Sequence, residues 1–235
     1  QNTLIGSLAG DYLTDADYNV AVGMYALSAD TLGSRNTALG FGTLQTQNFT
    51  TATDAYNVAV GMNAGALVTT GVQNTLIGSS AGDAITDADY NVAVGYASLS
   101  TDTYGSRSTA IGYAALQSQN FATGTDAYNT AVGFHAGYVV TTGLSNTLIG
   151  AQAGDANTSG NLNVAVGASA LSTNQQGDQN VAIGWGALFT MNPSGDVDTN
   201  NIAVGLQAGY GITTGVNNIL IGTVAGSNIT EGSTN

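Results

Sequence analysis

Two matching acidic turns are the first candidates for chemistry in this sequence. Asp15 and Asp17 stand two positions apart, and Asp87 and Asp89 repeat the pattern in the same surroundings. Oxygen-rich clusters of this kind can hold calcium. However, these turns lack the glycine and the later glutamate of the EF-hand loop, and the nonapeptide calcium-roll motif is missing too. We therefore interpret the aspartates as solvated loop charges, keep calcium binding as the weaker alternative, and expect no metal or other cofactor.

Three long turns carry the residues that we expect to contact a receptor. They span residues 45–56, 117–128 and 189–200, and the first two read QTQNFTTATDAY and QSQNFATGTDAY. Aromatic and amide side chains on a rigid scaffold suit sugar stacking and hydrogen bonding. The alternative, which is the more common one for a repeated loop, is a ridge along the side of the shaft that binds nothing. Because Phe49 and Phe121 lie outside the repeated positions, we expect them to lie outside the core. The candidate contacts are Gln47, Asn48, Phe49, Tyr56, Asn120, Phe121 and Tyr128.

The residue types needed for catalysis are scarce. His135 is the only histidine, Glu231 the only glutamate, and the chain has no cysteine. A catalytic triad or a pair of catalytic carboxylates would need partners that the sequence does not place near these residues. We therefore expect a protein that is not an enzyme.

The charge balance excludes several classes of partner. Charged residues make up 7% of the chain, Arg35 and Arg107 are the only basic side chains, and the formal net charge is −13. A protein with so few cations cannot displace the counterions of a nucleic acid, and it is not attracted to anionic lipid headgroups. No apolar run reaches the roughly 20 residues that span a bilayer. We expect no nucleic-acid partner and no membrane insertion in this segment.

A short phrase, Asn-Thr/Val-Ala-Val/Ile-Gly, recurs thirteen times along the whole chain. Its spacing follows a fixed order, in which three 17-residue repeats and one 21-residue repeat make up a 72-residue unit. A period of this size indicates a stacked architecture. We expect a single repeat array over residues 1–235, and the opening of the chain within a repeat indicates a piece of a longer polypeptide. The units span residues 2–73, 74–145 and 146–217, with a partial unit over 218–235.

A second pattern keeps the same 72-residue phase. The third position of the phrase is leucine only at Leu4, Leu76, Leu148 and Leu220, and alanine elsewhere. At the fourth position after the glycine of each phrase, the chain reads Gly, Leu, Leu, Gly in every full unit. Two patterns in phase are not a property of random low-complexity sequence, so each repeat has a defined place in the structure.

Each repeat predicts one coil of a parallel β-solenoid. The phrase alternates as a short strand does, so its second and fourth positions share one face and its alanine faces the other way. The glycine suits a corner that excludes Cβ, and stacked asparagines can form an amide ladder. A helix would not tolerate a glycine in every repeat. Representative ladder and corner positions are Asn19, Asn57, Asn74, Asn91, Gly23, Gly61, Gly78 and Gly95.

The repeats resemble a known family of fibrous surface proteins. The stretch NIAVGLQAGYGITTGVN at residues 201–217 is similar to the 17-residue NTAIG-type repeats of bacteriophage tail fibres, and also to the shorter repeats in the head domain of trimeric autotransporter adhesins. The resemblance covers essentially the whole chain. It implies a left-handed parallel β-roll in which three chains pack side by side. The 72-residue unit and the 21-residue coils are departures from the simplest members.

The two apolar faces of the strand support a trimer independently of that resemblance. One thin coil can bury only one face, and an exposed apolar stripe is unusual on a monomer. The sequence does not decide which face is inside. We expect the structural rod of a trimeric surface fibre on a virion or outside a cell, first a phage tail fibre that attaches to a cell-surface glycan or protein, and second a bacterial adhesin head.

Two further classes rank lower. Ice binding needs an unbroken threonine array, and the paired threonines at residues 69–70, 141–142 and 213–214 recur only once in each 72-residue unit. A glycan-cleaving tailspike would need paired carboxylates supplied by stacked loops. Neither class accounts for the repeat as well as a structural fibre does.

Overall fold

The computed structural model describes residues 1–233 and is all-β. It is a parallel β-solenoid of about 13 turns with about 17 residues in each coil, which confirms the fold class predicted from the repeat. Within residues 1–233 there is no helix, and so none that is long and apolar enough to cross a membrane. Thr234 and Asn235, which the predicted repeat array includes, lie outside the described residues.

Every repeat contributes one three-residue strand, and some coils add a two-residue strand in the turns. The strands are β1 (Thr3–Ile5), β2 (Val20–Val22), β3 (Gly33–Ser34), β4 (Thr37–Leu39), β5 (Thr53–Asp54), β6 (Val58–Val60), β7 (Thr75–Ile77), β8 (Val92–Val94), β9 (Gly105–Ser106), β10 (Thr109–Ile111), β11 (Thr125–Asp126), β12 (Thr130–Val132), β13 (Thr147–Ile149), β14 (Val164–Val166), β15 (Gly177–Asp178), β16 (Val181–Ile183), β17 (Val197–Asp198), β18 (Ile202–Val204) and β19 (Ile219–Ile221).

The three-residue strands pair in parallel in chain order, as β1-β2-β4-β6-β7-β8-β10 over residues 1–111 and as β12-β13-β14-β16-β18-β19 from residue 130 to residue 221. The chain divides into two compact halves. The first half holds residues 1–111 and 119–126, and the second holds residues 112–118 and those from 127 onward. Within each half, residues at the same position of successive repeats pair directly. Val58 pairs with Thr75 in the first half, and Thr147 pairs with Val164 in the second. Each repeat, whether short or long, therefore advances the chain by one strand, and the extra residues of a longer repeat lie in a turn.

The structure decides which face of the strand is inside. The alanine column points into the coil, and Ala21, Ala59 and Ala165 are fully buried. The second and fourth positions point outward, so that Val58 and Val60 are half-buried and Ile77 is 38% exposed. At most strand positions the interior has room only for a small side chain, and the larger β-branched residues of the strands lie on the outer surface.

The interior packing explains why the two sequence patterns keep one phase. Leu76 replaces the usual alanine and is fully buried. A Cβ on Gly65 or on Gly82 would lie 2.7 Å from a methyl group of Leu76, closer than atoms pack. In other coils the turn position that Gly65 and Gly82 occupy is a leucine, such as Leu27 or Leu44, whose buried side chain fills the interior instead. Each strand leucine therefore requires glycines in the turns around it.

A buried column of asparagines links successive coils. The backbone N–H of Asn74 donates to Oδ1 of Asn57 at 2.9 Å, and that of Asn91 donates to Oδ1 of Asn74 at 2.9 Å. The amide nitrogen of Asn57 also donates to the carbonyl of Gly71 at 2.7 Å. Each asparagine side chain thus provides hydrogen-bond partners for backbone N–H and C=O groups that lie inside the thin coil, away from water. Asn19 belongs to this column in the first coils: its backbone N–H donates to Oδ1 of Asn2 at 2.9 Å, and its own Oδ1 accepts from the backbone N–H of Asn36 at 2.8 Å.

The glycine after each strand occupies a position that a side chain would obstruct. Gly61 has φ +124°, and a Cβ there would lie 2.7 Å from the carbonyl carbon and oxygen of Gly78 in the next coil. Gly23 and Gly78 have the same backbone conformation and face the same kind of contact. Gly95 shares the conformation, with φ +138°. Because backbone meets backbone at this corner, the neighbouring coil cannot yield to an added methyl group.

Candidate functional site

The long turns fold back along the preceding coil and pair with it. In the first, β5 runs parallel to β3, with Thr53 opposite Gly33 and Asp54 opposite Ser34. The second and third turns form the same short ladders, β11 with β9 and β17 with β15. The loops are therefore held in place by backbone hydrogen bonds, and only some of their side chains are exposed to solvent.

The prediction that Phe49 and Phe121 lie outside the core is wrong. Each is 6% exposed, and the ring of Phe49 packs so closely over Gly33 that a Cβ there would lie 2.8 Å from the ring. Gln47, also a predicted receptor contact, is fully buried. The loop turns these side chains inward because they fill the space between β3 and the loop itself. Their side chains are not available to a receptor in this conformation.

Gln47 instead belongs to a buried polar cluster with Asp30 and Asn57. Its amide nitrogen donates to Oδ2 of Asp30 at 2.6 Å, and its amide oxygen accepts from Nδ2 of Asn57 at 2.8 Å. The other carboxylate oxygen of Asp30 accepts from the backbone N–H of Gly33 at 3.0 Å. A fully buried carboxylate without a cation thus depends on these two donors.

The later units show how the cluster is built. In the second unit Asp102 and Gln119 repeat the arrangement. In the third unit Asn174 and Met191 occupy the same two positions, and Asn174 pairs with Gly177 through its own amide. Methionine has no donor for a carboxylate, so the neutral asparagine accompanies it. The aspartate and glutamine therefore occur together or are absent together.

Four of the predicted receptor contacts do lie on the surface. Tyr56 is 50% and Tyr128 is 55% exposed, and Asn48 and Asn120 are exposed near the start of their loops. The side chain of Asn48 accepts a hydrogen bond of 2.9 Å from the hydroxyl of Thr31, which limits its freedom to bind another group. The tyrosines are thus the loop residues best placed to contact a partner.

Both arginines of the chain form a feature that the sequence analysis missed. The guanidinium of Arg35 lies 4.8 Å from the ring centre of Tyr18 and 5.7 Å from that of Tyr56, and its Nε is 3.0 Å from Oδ1 of Asp54. The hydrogen bond with Asp54 raises the pKa of Arg35. Arg107 repeats these contacts with Tyr90 and Asp126. Cation–π and ionic contacts of this kind link three successive coils at the surface.

The signal for this column was present in the sequence. Arg35 and Arg107 hold the same position in successive units, and each has a tyrosine at the equivalent position of the repeat before it and of the repeat after it. In the third unit Gln179 takes the place of arginine and donates to Asp198 at 2.7 Å. The column therefore persists as a contact between coils even where the cation is absent. Its tyrosines are Tyr18, Tyr56, Tyr90 and Tyr128.

The acidic turns do not converge on one point. Asp15, Asp17 and Asp87 are exposed, whereas Asp89 is half-buried and accepts a hydrogen bond of 2.8 Å from the backbone N–H of Val72. Burial raises the pKa of Asp89. Among residues 1–233, no three histidine or carboxylate side chains are grouped as metal ligands would be.

The single histidine lies in an aromatic cluster in the second 72-residue unit. The ring of His135 stacks on Phe134 at 4.0 Å and on Tyr138 at 4.4 Å between centroids, and Tyr113 stacks on Phe134 at 5.5 Å. Phe134 and Tyr113 are about half exposed. His135 thus contributes to a surface stack of rings between neighbouring coils.

No family model, curated protein or solved structure matches this chain. The resemblance to tail-fibre repeats and adhesin heads therefore stays a prediction. What the protein does has to be proposed from the geometry of its surfaces.

Proposed function

We propose that this chain is a structural, non-enzymatic segment of a homotrimeric surface fibre, in the first instance a phage tail-fibre shaft that takes part in host attachment. In this proposal three solenoids of the left-handed β-roll type pack side by side, exposed on a virion or outside a cell. The observation that carries the proposal is the apolar outer face of the sheet.

That face consists of repeated columns of apolar side chains. The fourth position of the strand phrase is a branched aliphatic residue in every coil, and the position after the glycine adds a second column, including Met62, Tyr96 and Trp185, each at least 50% exposed. The exposed fourth-position isoleucines are Ile5, Ile77, Ile111, Ile149, Ile183 and Ile221. Contiguous apolar surface of this kind marks an interaction site in soluble proteins.

A second copy of the same chain is the partner that fits this surface best. The columns repeat at the spacing of the strands, about 4.8 Å. Another solenoid presents the same spacing, so side chains can interdigitate coil by coil along the whole contact. Closed symmetry then buries the same face on every copy, as most soluble homo-oligomers do.

The surface charge limits the choice of receptor. The net charge of −13 and the pairing of both arginines with aspartates leave little to attract an anionic receptor. A neutral glycan or a protein surface is the compatible partner, and the exposed Tyr56 and Tyr128 are loop residues that could meet it. Three chains would present each contact three times, so that weak contacts combine through multivalency.

The assembly is tested by the native mass of the protein. We expect a species of three times the 23.4 kDa chain mass at micromolar concentration. Replacing Ile77 and Ile111 by glutamate places two charges on the outer face and should give a folded monomer with an unchanged circular dichroism spectrum. Thr51→Glu with Thr123→Glu adds the same charge at exposed loop positions and should remain trimeric. A stable, soluble wild-type monomer would contradict the proposal.

A further inference from the structure

A shallow groove crosses the turns of the first three coils. Its volume is about 300 Å³, at the lower end of the roughly 300–1,000 Å³ of ligand sites. Tyr12 is 64% exposed, and Tyr25 meets Phe41 edge to face at 6.1 Å. The groove lies on the turns that follow the strands rather than on the strands' outer face. Its lining residues are Leu8, Asp11, Tyr12, Tyr25, Ser28 and Gln45.

Comparison with the later units shows that the tyrosines are not required by the fold. Two of the polar residues persist in all three units, as Asp11, Asp83 and Asp155 and as Ser28, Ser100 and Ser172, whereas the place of Gln45 is taken by Gln117 and then by Phe189. The tyrosines do not persist: alanine takes both places in the second unit, and alanine and serine take them in the third. The positions that replace Tyr12 and Tyr25 are Ala84 and Ala97, then Ala156 and Ser169. The same coil structure thus forms in the later units without these two large aromatic side chains.

The chemistry of the lining favours a neutral saccharide. A pyranose ring presents a face of C–H groups, which packs on an aromatic ring, and an edge of hydroxyl groups, which need donors and acceptors. The phenol rings supply the apolar surface. Asp11 accepts hydrogen bonds, and Ser28 and Gln45 both donate and accept them. None of the six lining residues is a cation, so an acidic sugar would meet uncompensated negative charge.

We propose that this groove is a binding subsite for a neutral saccharide, with Tyr12 and Tyr25 against the sugar ring and Asp11, Ser28 and Gln45 at its hydroxyl groups. The inference deepens the attachment role and rests on the proposed fibre function for its biological setting. A single subsite of this size binds weakly, and its three copies on a trimer would act together.

Saturation-transfer NMR with defined oligosaccharides tests the proposal on the intact chain. The probes are cellotetraose, maltotetraose, lacto-N-tetraose and tetra-N-acetylchitotetraose, together with tetragalacturonic acid and choline as charged probes. We expect saturation transfer to at least one neutral probe and to neither charged one. The double variant Tyr12→Ala with Tyr25→Ala, which copies the second unit, should weaken the binding at least about tenfold. Tyr90→Ala, which removes a 42%-exposed ring away from both the groove and the apolar outer face, should leave it unchanged.

The other outcomes overturn the proposal. They are the failure of all four neutral probes to bind, binding that the double variant does not alter, and preferential binding of choline or of the acidic probe. The native mass of the same samples separates this inference from the proposed function. A trimer without saccharide binding overturns only the subsite, and a monomer that binds saccharide overturns only the fibre assembly.

Discussion

Replacing Gly61 by alanine is expected to lower the free energy of unfolding by about 3 kcal/mol or more. The substitution places a side chain at φ +124° and sets its Cβ 2.7 Å from the carbonyl group of Gly78. The backbone cannot move aside, because the N–H of Gly61 donates to Leu39 at 2.8 Å and the N–H of Gly78 donates to Val60 at 2.7 Å. Because solenoid coils contact only their neighbours, the loss should concentrate in the adjacent coils.

Gly124 provides the matched control for this prediction. It lies in the second long turn, and a Cβ built there has no atom within 4 Å. Gly124→Ala should change the stability by less than about 0.5 kcal/mol. Chemical denaturation gives the total effect, and amide hydrogen exchange shows which coils open. Equal costs for the two substitutions would mean that the stacked corner does not constrain the coil.

The second large effect is expected in the buried cluster of Asp30 and Gln47. Gln47→Met removes the donor that lies 2.6 Å from Oδ2 of Asp30, and so leaves a buried carboxylate with one partner. Loss of one partner of a buried charge costs about 3 kcal/mol. Adding Asp30→Asn should recover most of that loss, because the third unit uses Asn174 and Met191 at these positions. There Nδ2 of Asn201 contacts the sulfur of Met191 at 3.6 Å.

A double-mutant cycle over these two sites measures the dependence directly. We expect a coupling free energy of about 2 kcal/mol between the substitutions, since the residues share one hydrogen-bond network. Denaturant unfolding of the two single variants and the double variant supplies the values. Additive losses would show that the aspartate does not depend on the glutamine, and that their joint replacement in the third unit has another cause.

The coil architecture was predictable because the repeat carries it in several independent ways. Strict alternation at the strand, a glycine after it and a fixed spacing all indicate one coil per repeat. The inner and outer faces were not predictable, since alanine and valine are both apolar and nothing local decides between them. The structure places Ala59 inside and Val58 outside because buried turn residues such as Leu44 fill the interior and leave room for only a small side chain on most strands.

The long loops were harder to predict because they follow no period of their own. The sequence predicts that Phe49 faces a receptor, because aromatic side chains in long loops suit contact with sugars, but the loop folds back and buries it over Gly33. The joint replacement of Asp30 and Gln47 between units was the available signal that this loop reaches the core. The surface contacts of Arg35 with tyrosines depend on coils that are adjacent in space but a whole repeat apart in the sequence. They become visible once the coils are stacked.

One distance measurement tests most directly whether each repeat is a single coil. Asp15 and Asp87 occupy equivalent exposed turns of successive sequence units, and four strand steps, from β2 to β8, separate their coils. The chain has no cysteine, so spin labels can be attached at Asp15→Cys and Asp87→Cys alone. With labelled chains diluted in unlabelled protein, double electron–electron resonance should give a distance near 19 Å, four times the strand spacing of about 4.8 Å. A distribution centred beyond about 30 Å would contradict the one-coil repeat, because four repeats would then span more than six strand spacings.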